Sequence, residues 1–298
     1  MDWLIFGLPG NENLATQLSE QLQIPCGAAT IRHFPDGESY VRILSDVQNK
    51  NVLLVMTLDH PDDKLLPLYF FTLAAREQGV RKIGLVAPYL AYMRQDKLFH
   101  QGEAVTSGFF AHLLSQLADW IVTIDPHLHR RASMSEIYTV PVTVLHAAHL
   151  ISKWIKDNVK NALIVGPDSE SEQWVKEVAR EADVPYIVLE KVRKGDRQVE
   201  IKVPDVSRWK DHRPVLVDDI ISTARTMAIT IQHLIQAGFH KPICVGVHPI
   251  FAGNAFEELK AAGAEKIISC DTIPHASNGI SVSTLLLPEL LSMTRDKK

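Results

Sequence analysis

Cysteine is scarce in this sequence: Cys26, Cys244 and Cys270 lie far apart and form no C-x-x-C pair. That excludes a disulfide-stapled scaffold and a thiolate metal site, and leaves reduced thiols in or near a core. An excess of one charge sign is also missing, since 31 Lys plus Arg against 35 Asp plus Glu give −4. No global basic field invites nucleic acid, so any phosphate ligand must be held by a local arrangement. No stretch approaches the roughly 20 apolar residues of a membrane span. The opening MDWLIFGLPGNENLA has neither a basic leader nor a long apolar run. A cytoplasmic protein with small-molecule partners, and with no nucleic acid or membrane among them, is the expectation. G-x-x-x-x-G-K-S/T and G-x-G-x-x-G are both lacking, which argues against a P-loop kinase and a dinucleotide dehydrogenase.

What is present is a 298-residue, 46% apolar chain, long enough for two domains. Apolar runs rich in β-branched residues alternate with segments of helical period, the pattern of an α/β protein with mainly parallel strands. The halves echo each other. NVLLVMTLDH, a helical stretch through LAAREQG and KIGLVAPY are matched by RPVLVDDIIS, a helical stretch through IQHLIQAG and KPICVGVHPI. LADWIVTIDPH and AGAEKIISCDTIPH repeat the match further on. Two echoes in one order suggest duplication, with a boundary near residues 140–147 and halves 1–146 and 147–298, although no Gly/Ser-rich linker marks the join.

The most informative stretch is VLVDDIISTARTM, residues 215–227. Val215, Leu216 and Val217 read as a buried parallel strand that delivers Asp218 and Asp219 at its carboxyl end, where open α/β sheets bind ligands. Carboxylates there accept hydrogen bonds from vicinal hydroxyls. Ser222, Thr223, Ala224, Arg225 and Thr226 then lead into a helix whose free amides and positive end favour a phosphate monoester. A sugar phosphate, one dianion and one diol, fits such a run. The other reading is a buried strand followed by an acidic helix cap.

Further signals lie at other strand ends. RHFPDGESYVRI places Phe34, Asp36 and Glu38 around a Pro-Asp-Gly turn before an alternating strand, which a hairpin alone explains. APYLAYMRQDK exposes Arg94, Gln95, Asp96 and Lys97 after an apolar run, a poor arrangement for burial and a good one for a triphosphate. DPHLH follows the strand WIVTI and sets His127 at its end, with His129 and Arg130 read equally well as solvated. Asp168 follows the strand ALIVG in the same way. LEKVRKGDRQVEI is strand, charged turn, strand, with Lys191 and Arg193 on what is also simply a mobile hairpin.

Taken in order, these motifs resemble those of ribose-phosphate diphosphokinase, also called phosphoribosyl diphosphate (PRPP) synthetase. They run FxDGE, PYxxYxRQD, DxH, PDxGG, KxR and the acidic PRPP loop, over about residues 32–285. The resemblance implies two similar phosphoribosyltransferase-like domains, each a mainly parallel sheet flanked by helices, and Mg²⁺-dependent transfer of the diphosphoryl group of ATP to ribose 5-phosphate. It implies that Phe34 stacks on adenine with Asp36 and Glu38 close to the base, and that Arg94, Gln95 and Asp96 form the rest of the ATP site. It further implies that His127 and Asp168 serve the Mg²⁺, that Asp218 to Thr226 hold ribose 5-phosphate, and that Lys191 and Arg193 stabilise the transferred group. A homo-oligomer, dimer or hexamer, is expected.

The chain departs from the family pattern at Glu170 and Ser171, which replace a glycine pair, at Trp174, which replaces an Arg, and at Arg225, which replaces a Gly. Glu170 adds negative charge beside an expected polyanion. Arg225 is expected to adopt an ordinary right-handed conformation and lend its guanidinium to the 5-phosphate. A phosphoribosyltransferase would share the PRPP loop but leave FPDGE and RQD unexplained. A catalytically silent family member that regulates a synthetase would account for the departures.

Overall fold

The computed structural model describes residues 2–128, 130–167, 171–194, 198–202 and 207–295. The chain divides into two compact units, Met1–Leu145 with Ser283–Lys298, and His146–Val282. In chain order the first unit contains β1 (Trp3–Gly7), α1 (Glu12–Leu22), β2 (Ala29–His33), β3 (Ser39–Ile43), β4 (Asn51–Val55) and α2 (Pro61–Glu77). It continues with β5 (Lys82–Ala87), α3 (Thr106–Leu117), β6 (Trp120–Ile124) and β7 (Val142–Leu145). Five of these strands form a sheet in the order β1-β4-β5-β6-β7, every pair parallel. All five residues of β4 are buried, and after Asn51 its sequence is a continuous apolar run, as a parallel sheet covered on both faces requires. Strands β2 and β3 stand apart as an antiparallel hairpin, and β3 packs on α2.

The second unit contains α4 (Ala148–Asn158), β8 (Ala162–Gly166), α5 (Glu172–Ala182), β9 (Tyr186–Val188), β10 (Glu190–Lys194) and β11 (Gln198–Lys202). It continues with β12 (Arg213–Ile221), α6 (Arg225–Gln236), β13 (Ile243–Pro249), α7 (Ala255–Ala262), β14 (Lys266–Cys270) and β15 (Asn278–Ile280). Its sheet runs β15-β14-β13-β12-β8-β9, again all parallel. Strands β10 and β11 form a separate antiparallel hairpin.

The duplication heard in the sequence extends to the topology. Strands β1, β4, β5, β6 and β7 recur as β8, β12, β13, β14 and β15, and each unit inserts a hairpin before its second long strand. Even the edge repeats: Ile5 forms a parallel bridge with Cys26, and Ile164 pairs with Tyr186 at the start of β9. Gly7 and Gly166 end the equivalent strands β1 and β8. A Cβ on Gly7 would sit 2.8 Å from Ala15 Cβ, and one on Gly166 2.8 Å from Val175 Cγ2, so each glycine lets the next helix close onto its strand.

The last helix, α8 (Ser283–Thr294), belongs to the first unit although it follows the second in sequence. It packs on α1, and Thr143 donates to Glu289 at 3.3 Å. The division 1–146 and 147–298 thus differs from the compact units by this one helix, whose apolar run LLLPELL carries no mark of the unit it covers. All three cysteines are free, with Cys244 and Cys270 buried as expected. Cys26 is exposed instead, because it lies in the edge segment rather than in a core strand.

Candidate active site

In the second unit β12 continues beyond the predicted Val215–Val217 to Ile221, so the acidic pair lies inside the strand rather than after it. Its register with β8 ends at Leu216↔Val165, whereas that with β13 runs on to Ile221↔Pro249. Asp218 and Asp219 therefore stand at the mouth of the sheet, half-buried, past the last rung of one neighbour. The Asp219 amide donates to Asp218 Oδ1 at 3.1 Å and the Ile220 amide to Asp219 Oδ1 at 2.8 Å. One oxygen of each carboxylate is thereby tied to the backbone, which orients both groups.

The turn that follows is gripped from its flank. The Phe251 amide donates to the Ile221 carbonyl at 2.9 Å and the Ala252 amide to that of Ser222 at 3.1 Å. Phe251 does this at φ 42°, unusual for a bulky residue. The left-handed residue of the turn itself is Ala224, at φ 56° and ψ 3°, while Arg225 is the first residue of α6 in ordinary helical conformation. The first helical bond runs from the Ala228 amide to the Ala224 carbonyl at 2.8 Å. The amides of Arg225, Thr226 and Met227 thus precede the helical ladder, and no side chain caps the helix. With Thr223 and Arg225 exposed and Ser222 and Thr226 half-buried, the turn presents hydroxyls, amides outside the helical ladder and one guanidinium, groups whose chemistry suits an anion.

Lys191 and Arg193 occupy alternate positions of β10, paired with Ile201 and Val199 of β11. The tip of that hairpin, residues 195–197, lies outside the described residues, as do Asp168, Glu170 and His129. Of the departures beside Asp168, Ser171 is buried at the start of α5, and Trp174 is half-buried with its indole N–H unpartnered among the described residues.

In the first unit the β2–β3 hairpin is closed by a tight turn. The Phe34 amide donates to the Glu38 carbonyl at 2.7 Å, Asp36 Oδ1 accepts the Glu38 amide at 3.2 Å, and Gly37 takes φ 93°. Asp36 and Glu38 stay exposed. Phe34 is exposed too, edge-on to Tyr40 at 5.7 Å, and the Arg32 guanidinium lies 4.6 Å from both ring centres. This is a preassembled aromatic platform carrying a cation.

The RQD segment divides its labour. Asp96 is withdrawn, its side chain 4% exposed and paired at 2.9 Å with Arg130, which is therefore not simply solvated. Gln95 Oε1 accepts from Thr106 Oγ1 at 3.1 Å, at the start of α3. Arg131 bonds Ser107 Oγ at 3.0 Å. These contacts clamp the segment to α3, while Arg94 stays exposed. Tyr92, left-handed at φ 61°, donates its hydroxyl to Asp62 on the first turn of α2 and packs against Phe110 with ring centres 4.9 Å apart and planes tilted by 54°. That carboxylate, then burial, pushes the phenol up to about 12, so it remains a donor throughout the neutral range. Asp62 and Arg131 escaped sequence reasoning, and Arg130 was named there only as a residue that could be solvated. The adjacent Arg130–Arg131 pair beside DPH was the available signal, whereas nothing local marks Asp62.

His127 follows β6 in a bent loop, with Asp125 at φ 37°, His127 at φ 56°, and the His127 amide donating to the Asp125 carbonyl at 2.9 Å. The Asp125 amide donates to Leu145 at the end of β7 at 3.0 Å, and its counterpart Asp271 donates to Ile280 at the end of β15 at 3.0 Å. Asp271 also accepts the Val282 amide at 2.7 Å, and burial raises its carboxyl above the usual range. Among the described residues no three His, Cys, Asp or Glu side chains group to hold a metal by themselves. No helix among them is long and apolar enough to cross a membrane.

Residues 3–117 match the family model "N-terminal domain of ribose phosphate pyrophosphokinase", and residues 133–284 match "Phosphoribosyl transferase domain". The ribose-phosphate pyrophosphokinase of Saccharolobus solfataricus is 32% identical over 91% of this chain and 93% of its own length. That of Methanothermobacter thermautotrophicus is 32% identical over 95% and 98%. The crystal structure of phosphoribosylpyrophosphate synthetase from Mycobacterium smegmatis superposes with a TM-score of 0.85 at 24% identity, covering 98% of this chain and 99% of that one. That match fixes the fold as two phosphoribosyltransferase-like domains, and the sequence relatives, similar over nearly their whole lengths, establish that the chain belongs to the ribose-phosphate pyrophosphokinase family.

Proposed function

We propose that this chain transfers the diphosphoryl group of ATP to the 1-hydroxyl of ribose 5-phosphate, giving PRPP and AMP, with Mg²⁺. The observation that carries this reading is the coexistence on one chain of two oriented carboxylates leading into an uncapped helix start on β12–α6 and a cationic aromatic platform on β2–β3. A phosphoribosyltransferase needs only the first. The relatives' shared name supports the same reaction.

In this reaction the 1-oxygen of the sugar bonds to the β-phosphorus as its hydroxyl proton leaves. The bond from that phosphorus to the oxygen bridging to the α-phosphate breaks, and AMP departs. Such chemistry is mostly positioning and charge stabilisation. Asp218 and Asp219 accept the ribose hydroxyls. Ser222, Thr223, Arg225 and Thr226, with the α6 amides, hold the 5-phosphate. Phe34 stacks on adenine, with Asp36 and Glu38 beside its edge, and Arg94 meets the phosphates. Gln95 and Asp96 act one step back, by holding the segment that presents Arg94. Lys191 and Arg193 bring positive charge to the oxygens of the transferring group.

Mg²⁺ prefers oxygen ligands, keeps several waters and commonly bridges substrate phosphates. The oriented carboxylates at the mouth of β12 and the absence of a self-sufficient protein cage among the described residues fit that mode. His127 and Asp168 would hold it, and when bound it would neutralise charge on the polyphosphate. A homo-oligomer in the cytoplasm is the proposed setting, and three free thiols suit a reducing compartment.

The deciding assay is AMP release from ATP plus ribose 5-phosphate without a nucleobase. Pyrophosphate release only on adding a base would transfer the assignment to a phosphoribosyltransferase. Nucleotide binding without AMP over a range of Mg²⁺ would make this a silent, regulatory member of the family, the reading that Ser171 and Trp174 favour. Arg225→Gly with an unchanged KM for ribose 5-phosphate removes the guanidinium from the phosphate site.

A further inference from the structure

Phe251 holds a left-handed conformation, φ 42°, which is sterically costly for a bulky residue and persists only where the surroundings enforce it. Those surroundings are aromatic. The buried Phe251 ring packs tilted against His275, with ring centres 4.5 Å apart, and edge-on against Phe256 at 5.1 Å. His275 also meets Phe256 edge-on at 4.7 Å, so the three rings close on one another between the loop after β13, helix α7 and the loop after β14. The His275 side of this cluster is tied to backbone. Its Nδ1 accepts the Ser277 amide at 3.1 Å, and its own amide donates to Asn278 Oδ1 at 2.8 Å. Asn278 Nδ2 donates in turn to the Cys270 and Ile273 carbonyls at 2.9 and 3.1 Å. An Nδ1 that accepts carries no proton, and burial, then Lys260, lowers the imidazole below its usual range, so the ring is neutral.

We propose that Phe251 and His275 are positioning residues for ribose 5-phosphate: their ring contact holds the loop after β13 in its left-handed turn, and that loop fixes the turn between β12 and α6. The link is short. The Phe251 amide donates to the Ile221 carbonyl at 2.9 Å and the Ala252 amide to the Ser222 carbonyl at 3.1 Å. Thr223 and the uncapped start of α6 follow directly, so they inherit the position that Phe251 takes. The direction of these bonds matters too. In the first unit the bond between the turn after β4 and the loop after β5 runs the other way, from the Leu58 amide to the Tyr89 carbonyl at 2.9 Å, and commits an amide of the turn to its neighbour. In the second unit the neighbouring loop grips carbonyls, which keeps the amides of the turn out of the grip and suits an anion.

This rests on reading the β12–α6 turn as the ribose 5-phosphate site, and the test separates the two. Isothermal titration of ribose 5-phosphate into the full chain, with Mg²⁺ and α,β-methylene ATP present, reads binding apart from turnover because the α–β bridge of that analogue cannot break. Phe251→Ala should raise the Kd about tenfold, the worth of one misdirected charge-assisted hydrogen bond, and His275→Ala by somewhat less, while the KM for ATP stays in place. His275 is half-buried, and its variant carries the test even if Phe251→Ala fails to fold. Leu259→Ala is the control, since Leu259 on α7 is buried in the same core and its truncation should lower the urea midpoint without changing the Kd. An unchanged Kd in His275→Ala, or an equal rise in Leu259→Ala, would overturn the positioning role and leave the site assignment standing. A wild type that does not bind ribose 5-phosphate would overturn the site assignment, and the positioning role with it.

Discussion

The turn after β4 and the turn after β12 occupy equivalent places in the two units, and each enters its helix through a left-handed residue, His60 at φ 48° and Ala224 at φ 56°. Their contents differ. In the first unit the turn is filled from within: Lys64 reaches back to the Thr57 carbonyl at 3.1 Å and to the Asp59 carboxylate, whose side chain is 14% exposed. A carboxylate and an ammonium of the chain itself thus occupy this turn. In the second unit the corresponding turn carries hydroxyls and an exposed guanidinium, and two carboxylates precede it on the strand. The backbone alone therefore offers a cradle twice, and side-chain chemistry decides which one stays open for a ligand.

The division of labour between the units can be broken most sharply at the two hairpins. If β10–β11 serves the chemical step, Lys191→Ala should lower kcat by about 10²–10³ while leaving the KM for ATP nearly unchanged. Phe34→Ala on β2–β3 should do the reverse, raising the KM for ATP with a small effect on kcat. Steady-state kinetics varying each substrate separates the two. Equal losses in kcat from both variants would mean that the hairpins do not divide binding from chemistry.

A smaller effect sharpens the comparison of the turns themselves. Asp219→Asn should raise the KM for ribose 5-phosphate about tenfold to a hundredfold, the worth of one or two charge-assisted hydrogen bonds. In the first-unit turn, Asp59→Asn should leave both KM values in place and lower stability by about 1–3 kcal/mol, because it strands the half-buried Lys64. Urea unfolding beside the kinetics distinguishes them. A rise in either KM from Asp59→Asn would show that the first-unit turn still meets substrate. At the RQD segment, Arg94→Ala should raise the KM for ATP about tenfold, whereas Gln95→Ala should act more weakly because Gln95 is engaged with Thr106.

Much of this fold was legible because buried parallel strands leave a strong mark. The runs around residues 51–55, 82–87, 162–166 and 243–249 are largely apolar, and the echo between halves followed the order of the long strands, while the repetition of the hairpins emerged only from the topology. The end of β12 was less legible, since Ile220 and Ile221 extend the strand past two carboxylates that look like a terminus. Helix α8 could not be assigned to the first unit from sequence, because an apolar helix reads alike whichever sheet it covers. In the site, residues on local motifs such as Phe34 and Arg94 were visible. The contacts that withdraw Asp96 and Gln95 come from Arg130 and from the start of α3, and such long-range pairings leave no local spacing to read. The left-handed position was also displaced: attention fell on Arg225, where glycine was expected, while the positive φ belongs to Ala224.

That displacement supplies the smallest and most local test. A left-handed conformation brings Cβ against the following carbonyl, at a cost of about 1–2 kcal/mol for an ordinary residue. Alanine has no side-chain hydrogen bond to offset it, whereas His is among the residues that tolerate this region better, and His60 Nδ1 lies 3.2 Å from Asp59 Oδ2. Glycine relieves the clash in either turn but gives back part of the gain through the greater freedom of the unfolded chain. Ala224→Gly should therefore stabilise the protein by roughly 0.5–1 kcal/mol in the absence of substrate, and His60→Gly by less or not at all, measured as ΔG of unfolding in urea. If the two substitutions gave the same gain, the left-handed residues would be equally strained, and the two turns would differ only in what fills them.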